Sequence, residues 1–515
     1  MHYLMSTSVR ICVLGALLGA AEPLCAQAPT PPDPPITVEQ GAPEAELGLV
    51  GTLSQEMSAY AEGIAASRGV WRGPRVPWPL PEARPASQLT LRSSRWPVSV
   101  HGSKDAHWVQ ALDAAYALLS EEGWPLPPAD GGRGETDGFD VYVVASLRAR
   151  ALQGREIWPA PDAPSDPVRM SDAYFDAPVF DAPFDSGIVF SAVSETLPRD
   201  RQLGCAVQLV SEAGLYAADP SEAPALRHAT GAWLAWRLTG ELGCDEDALV
   251  RQQQESRRAY VAHHDSGASG GSILIDALSQ RHDDASTSFM RDVWTLSRQL
   301  TTDTGDMRAE PDVLRVIGQA GQLVHDPLDR VLESLAVARY FVGREGATRS
   351  DIGLLRALPN DARVPVFGEA RWSALPRTLW VGDAGLEPWG SAYARVDVSD
   401  APAGSTLRVW LEGEPGTEWS LVAVRLDSAG RELGRTRVPQ TRRTRAFIPV
   451  ELAEGAHEVV LVVTNMPDDH DGRDSNVTLN AASHLSRYYF RAGMDLDDVG
   501  MMSRTFRLIV DRGPS

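Results

Sequence analysis

The sequence predicts an α+β chain in which a mainly helical domain precedes an antiparallel β-sandwich. Two patterns carry that reading. From Arg199 to about Tyr340 apolar residues recur at helical spacing. Beyond about Pro359 the pattern changes to short alternating runs separated by glycine-containing turns such as Ala429-Gly430 and Glu454-Gly455. With 515 residues, 43% of them hydrophobic, and 14 Trp, the chain has material for two or three ordinary cores and is not disordered throughout.

The elements follow in order. Residues 1–28 read as a secretory signal peptide: the apolar run Ile11 to Ala21 is short and Gly/Ala-rich, and Ala26 and Ala28 offer small-residue cleavage positions. Cys25 raises the alternative of a lipidated N-terminus, but Pro23 and Leu24 lack the small residue that usually precedes such a cysteine. Residues 29–48, with five prolines between Pro29 and Pro35, read as a tether. The helical domain is placed at 49–350. It opens with a helical stretch near 49–67 and an irregular Trp/Pro segment at 70–100, then a helix over His107 to Leu119. Phe139 to Val144 and Gly187 to Phe190 are strands, divided by a Pro/Asp-rich loop over Pro159 to Phe184. Helices follow at Leu203 to Ala217, Ala223 to Leu238, Ile273 to Leu278, Phe289 to Leu300, Val313 to Ala320 and Leu328 to Phe341. The β-sandwich is placed at 360–515, with strands at Thr406 to Leu411, Leu421 to Val424, Val459 to Val463 and Thr505 to Val510.

A net charge of −21 argues against nucleic-acid binding. No second membrane span is apparent. Outside the export segment only Cys205 and Cys244 remain, and an even pair in an exported chain points to one disulfide. Cys205 starts one predicted helix and Cys244 follows the end of the next. An antiparallel helix pair brings such ends together, at about 5.5–6 Å between Cα atoms.

Those two helices contain Ser211-Glu212-Ala213-Gly214-Leu215 and His228-Ala229-Thr230-Gly231-Ala232-Trp233. With the Asp140-Val141-Tyr142 strand, the short strand before them, and later helices carrying Trp294 and Ala336-Val337-Ala338-Arg339, the region from Val141 to Gly343 resembles secreted bacterial zinc metalloproteases of the gluzincin type. In H-E-x-x-H, two His one helical turn apart hold a zinc, and the Glu polarises the attacking water. The resemblance places Ser211, Glu212 and Leu215 at those positions, and His228 where the family's second helix supplies a Glu ligand. It therefore implies the fold and argues against the activity. Glu212 is left as a relic general base, no metal is expected at Ser211, Leu215 and His228, and no cofactor is implied. The resulting reading is a secreted, catalytically inactive protein that binds an unidentified protein or envelope ligand. The alternatives are an active zinc peptidase with relocated ligands, and an envelope adhesion or scaffold protein.

Other constellations read as structure first. His263-His264-Asp265 with the following Ser266 to Gly271, and His282-Asp283-Asp284, lack i, i+4 ligand spacing, so a rebuilt metal site using His228 with His263 or His264 stands behind an exposed loop. Ser266 to Gly270 lacks the nucleophile-elbow context. Asp469 to Asp474 resembles a fragment of a calcium loop but fits a charged turn better. Arg435, Arg437, Arg442, Arg443 and Arg445 read as a solvated hairpin face, with an acidic glycan or lipid headgroup as the alternative. Trp233, Trp236 and Trp294 read as core. Trp410 and Trp419 lie in or near strands, where one can be buried and the other available to a ligand surface, and they do not by themselves assign a carbohydrate site.

Overall fold

The computed structural model describes residues 39–41, 75–76 and 84–513, except 146–171, 180–183, 223, 245, 261–267, 284–285, 299–306, 309–312, 324–327, 345–351, 415–417, 439–444 and 467–502. The signal-peptide segment, His263, His264, Asp284, Arg442, Arg443 and the Asp469 to Asp474 turn lie outside the described residues. Both helices and mixed sheets are present, so the α+β class holds. No described helix is long and apolar enough to cross a membrane.

Two short strands, β1 (Glu39–Gly41) and β2 (Arg75–Val76), precede the first sheet. That sheet contains β3 (Thr90–Arg92), β4 (Val98–His101), β5 (Phe139–Val144), β6 (Asp172–Pro178) and β7 (Gly187–Ser194), in the order β3-β4-β5-β7-β6. Its centre is parallel, β4 to β5 to β7, and its two edge strands are antiparallel. All six residues of β5 are buried, which is why Phe139 to Val144 reads as a nearly continuous apolar run with no alternation. Helix α1 (Ala106–Glu121) crosses between β4 and β5; the Asp105 carboxylate caps it by accepting the His107 N–H at 3.1 Å.

This sheet corrects two expectations. Thr90–Arg92 and Val98–His101 lie in the segment read as irregular, and Asp172–Pro178 lies in the segment read as loop. Two of these, Thr90–Arg92 and Asp172–Pro178, are edge strands. Half of the pairing groups of an edge strand need no partner, so weak β-formers and Pro178 are tolerated there.

The helices that follow are α2 (Gln202–Ala218), α3 (Pro224–Thr239), α4 (Glu246–Gln254), α5 (Ser272–Asp283), α6 (Ser288–Ser297), α7 (Val313–Leu323), α8 (Leu328–Tyr340) and α9 (Gly353–Ala357). The two-residue β8 (Met307–Arg308) pairs with β2. Fifteen of the seventeen residues of α2 are buried, so it is a central helix with no solvent face. Trp233 and Trp294 are fully buried, as core residues, and Trp236 packs half-buried against the same cluster.

The remaining strands are β9 (Val366–Arg371), β10 (Arg377–Trp380), β11 (Ser391–Asp397), β12 (Thr406–Gly413), β13 (Glu418–Leu426), β14 (Glu432–Arg437), β15 (Arg445–Glu451), β16 (Glu458–Met466) and β17 (Phe506–Arg512). They form a six-stranded sheet, β1-β14-β13-β16-β11-β9, and a four-stranded sheet, β10-β17-β12-β15. Every pairing in them is antiparallel except β11 with β9. Glu39–Gly41, inside the segment read as a tether, thus serves as an edge strand on β14.

Side chains from the two sheets share one core that includes Ala394, Leu421, Leu461, Val409, Ile448 and Leu508. The other face of the six-stranded sheet is buried too. Tyr393, Val422, Val424, Val460 and Val462 pack against Ala336, Val337 and Tyr340 of α8 and the adjoining Phe341. Burial on both faces explains the unbroken run Val459 to Val463 in β16. Helices and C-terminal strands therefore belong to one compact unit spanning Val38–Ser515. Tyr393 contributes most visibly: its hydroxyl donates to the Ala336 carbonyl at 2.8 Å, deep in that interface.

Removing this hydroxyl by Tyr393→Phe leaves the shape intact and strands a buried carbonyl lone pair. A loss of about 1 kcal/mol is expected, read as a lower urea midpoint at unchanged slope, with fluorescence and circular dichroism transitions coincident.

Candidate functional site

The α2 and α3 helices meet at a glycine. A Cβ on Gly231 would lie 2.8 Å from Glu212 Cγ, 3.2 Å from the Gln208 carbonyl and 3.2 Å from Ser211 Oγ. Only an absent side chain lets the two backbones come this close. The approach brings Glu212, fully buried, to His228, 3% exposed, with His228 Nδ1 3.1 Å from Glu212 Oε1. That distance suits an ion pair when the imidazole is protonated, but its angles fall outside hydrogen-bond geometry. The carboxylate and the imidazole are therefore in contact without a hydrogen bond between them.

Gln208, one turn before Glu212, is the residue that sequence reasoning missed. Its amide Nε2 donates to Glu212 Oε1 at 2.6 Å and to Ser269 Oγ at 3.3 Å, and its Oε1 accepts the Cys244 N–H at 2.7 Å. Glu212 Oε2 makes no hydrogen bond among the described residues. Ser211 donates its hydroxyl back to the Gln208 carbonyl at 2.9 Å, and Leu215 is fully buried in the core. The four positions are thus together, but as packed interior and not as a cleft.

These residues do not fit a zinc ion. Ser211 has its hydroxyl turned into its own helix, Leu215 has no donor atom, and His228 meets the carboxylate and not a second imidazole. Among the described residues no group of three His, Cys, Asp or Glu side chains is arranged to hold a metal. His282 stacks on Phe289 with ring centroids 4.6 Å apart. Ala268–Gly271, read as part of an exposed loop, is a 3₁₀ turn whose Ser269, Gly270 and Gly271 are buried: a Cβ on Gly271 would sit 2.3 Å from the Tyr260 carbonyl and 3.2 Å from Ala229 Cβ. The glycines that suggested flexibility instead permit close packing.

Cys205 and Cys244 are joined by a disulfide across 39 residues, with Cα atoms 4.3 Å apart. This is closer than expected, and the flanking glycines account for it. A Cβ on Gly204 would meet Glu241 Cβ at 2.8 Å, and one on Gly243 would meet Gln208 Oε1 at 2.0 Å. The Gly204 N–H also donates to Glu241 Oε2 at 2.9 Å, so the loop after α3 lies directly on the start of α2.

A second polar cluster surrounds Arg84. Its guanidinium meets Asp130 at 2.8 Å, Asp176 at 2.9 Å and Asp140 closer still. Asp140 Oδ1 also accepts from Thr136 at 2.9 Å and lies 2.8 Å from His101 Nε2. One signal was available: Asp140, the second residue of the otherwise apolar and buried strand Phe139 to Val144, must be satisfied by buried partners. Burial, and then the neighbouring Asp140 charge, push the Asp130 carboxyl up to about 6, against the pull of Arg84. The cluster ties the segment before β3 to the ends of β5 and β6.

Arg435 pairs with Glu432 at 2.7 Å and Arg437 with Glu333 at 3.3 Å, so this part of the arginine run is engaged within the protein. A cavity of about 400 Å³ lies between the edge strands β9 and β10, where Arg371, Arg377 and Arg395 face Glu369, Asp397 and Glu458. No family model, curated protein or solved structure matches the chain.

Two outcomes follow from these sites. Replacing both cysteines by serine releases a closed loop of 39 residues of separation, and the double variant should lose about 4 kcal/mol on the chain-entropy model. The parent, unfolded without reductant, should show neither thiol by titration. For Asp130, the folded value of about 6 exceeds the ordinary 3.8. The folded state then holds a proton that the unfolded state releases, so this group's contribution falls as pH rises through that window. Asp130→Asn should flatten this segment of the stability profile in urea titrations.

Proposed function

We propose that the chain is a secreted, metalloprotease-like protein that has lost peptide hydrolysis and acts by binding. The supporting observation is the buried Glu212–His228 contact, 3.1 Å, at the place where the resemblance puts a zinc ion. A general base needs a water to polarise and a metal to lower that water's pKa. Here the carboxylate is held by Gln208 and His228, Leu215 fills the position of a ligand, and all these side chains are closed off from solvent. A polar group left unsatisfied inside a protein costs about 1–3 kcal/mol, so Glu212 Oε2 is a liability that packing alone does not require. Descent from a catalytic site accounts for its retention.

Export fits the same reading. The Ile11 to Ala21 run precedes a chain carrying the Cys205–Cys244 disulfide, and such bonds persist in oxidising compartments. The two C-terminal sheets are read as the family's β-sandwich module, joined to the helices through α8. Binding would then fall to surfaces outside the α2–α3 pair.

The test restores the ligands: Ser211→His, Leu215→His and His228→Glu together. The parent should retain no stoichiometric zinc after dialysis, and the triple variant should gain about one zinc per chain. A parent that already holds one zinc tightly, or a folded variant that gains none, contradicts the proposal.

A further inference from the structure

Trp410 and Trp419 have opposite fates. Trp419 is 2% exposed in the core shared by the two sheets, whereas Trp410 alternates with the core residues Val409 and Leu411 and faces outward. The register makes that outer face continuous. Thr378, Ile509, Trp410 and Phe447 lie directly opposite one another on β10, β17, β12 and β15. The Trp410 and Phe447 rings are 5.1 Å apart, and the Arg408 guanidinium lies 5.1 Å from the Trp410 ring centre. In the next row Trp380 stands 51% exposed, beside Arg507, Glu412 and Arg445. Isolated apolar residues at a surface are ordinary, but a stacked Trp–Phe pair and a half-exposed Trp in the next row of the same sheet face make a surface that favours a partner.

The charges on this face identify the partner's chemistry. Arg507 Nε donates to Glu412 at 2.6 Å, Arg445 lies 3.9 Å from Glu412, and Arg408 lies 3.7 Å from Asp511. Each guanidinium already has a carboxylate within 4 Å, two of them sharing Glu412, so most of the charge is answered within the face and it does not call for a phosphate or an acidic peptide. It offers flat aromatic surface bordered by fixed donors and acceptors. A sugar ring with equatorial hydroxyls matches this: its C–H face lies on an aromatic ring, and its rim hydroxyls both give and receive hydrogen bonds. Two strand spacings and two residues separate Trp410 from Trp380, roughly 12 Å between their Cα atoms, a span that a few linked sugar rings cover. Arg408 and Phe447 hold the Trp410 ring in place before binding, which limits the entropy lost on association.

We propose that the outer face of the four-stranded sheet, centred on Trp410 and Trp380, binds an uncharged polysaccharide of β-linked, equatorially substituted pyranoses. The site goes beyond the reading of Glu212 and His228 and stands without it. The test is adsorption of the full mature chain to microcrystalline cellulose and to chitin, with amylose, a curved α-linked chain, as control. The parent should be retained on at least one of the β-linked polymers and pass through amylose. Trp380→Ala and Trp410→Ala should each weaken retention at least about tenfold, while Trp380→Phe should keep most of it. Since Trp380 stands half in solvent, Trp380→Ala decides the matter even if Trp410→Ala fails to fold. Retention on neither β-linked polymer, equal retention on amylose, or unchanged binding by Trp380→Ala overturns the proposal.

Discussion

The close approach of α2 and α3 at Gly231 is the constraint on which the rest of the helical region depends. It brings two buried ionisable side chains together, and burial of charge is tolerable only when each charge finds a partner. Glu212 finds His228 and Gln208; Gln208 in turn takes the Cys244 backbone, whose side chain closes the disulfide to Cys205. Four interactions thus secure one helix pair from its middle to its end. Glycines at 204, 231 and 243 supply the space, and a side chain there would have to displace Glu241, Glu212 or the Gln208 amide.

The same geometry that makes the pair rigid also closes Glu212 and His228 off from solvent. Reacting groups must reach solvent or substrate, yet α2 buries nearly every residue it has. On the proposed reading, binding belongs to surfaces where the fold leaves side chains exposed. The six-stranded sheet is buried on both faces, by α8 on one side and by the second sheet on the other. The four-stranded sheet keeps its outer face open, and that face carries the aromatic row.

Much of this was legible in the sequence. Phe139 to Val144 is a strand with those same ends, and the helix predicted over Leu203 to Ala217 extends by one residue at each end, because both have long apolar patterns of one period. Asp172–Pro178 and Thr90–Arg92 were hidden because edge strands need neither alternation nor β-branched residues. The candidate site was half visible. Ser211, Glu212, Leu215 and His228 could be named from spacing and resemblance, and helix-end geometry pointed to Cys205 and Cys244. Gln208 could not be named, because an amide becomes a hub only once the Cys244 loop and Ser269 arrive from distant parts of the chain. Arg84 was hidden for the same reason: its three aspartates lie 46 to 92 residues away.

The central claim is that Glu212 and His228 are energetically linked inside the protein. A double-mutant cycle tests it most directly, using Glu212→Gln, His228→Gln and the pair together, with stabilities from urea unfolding at neutral pH and in the presence of a chelator. The account predicts that the two substitutions are non-additive, with a coupling of about 1–3 kcal/mol. Additivity to within about 0.5 kcal/mol would mean that the two side chains are neighbours without being partners, and would contradict it.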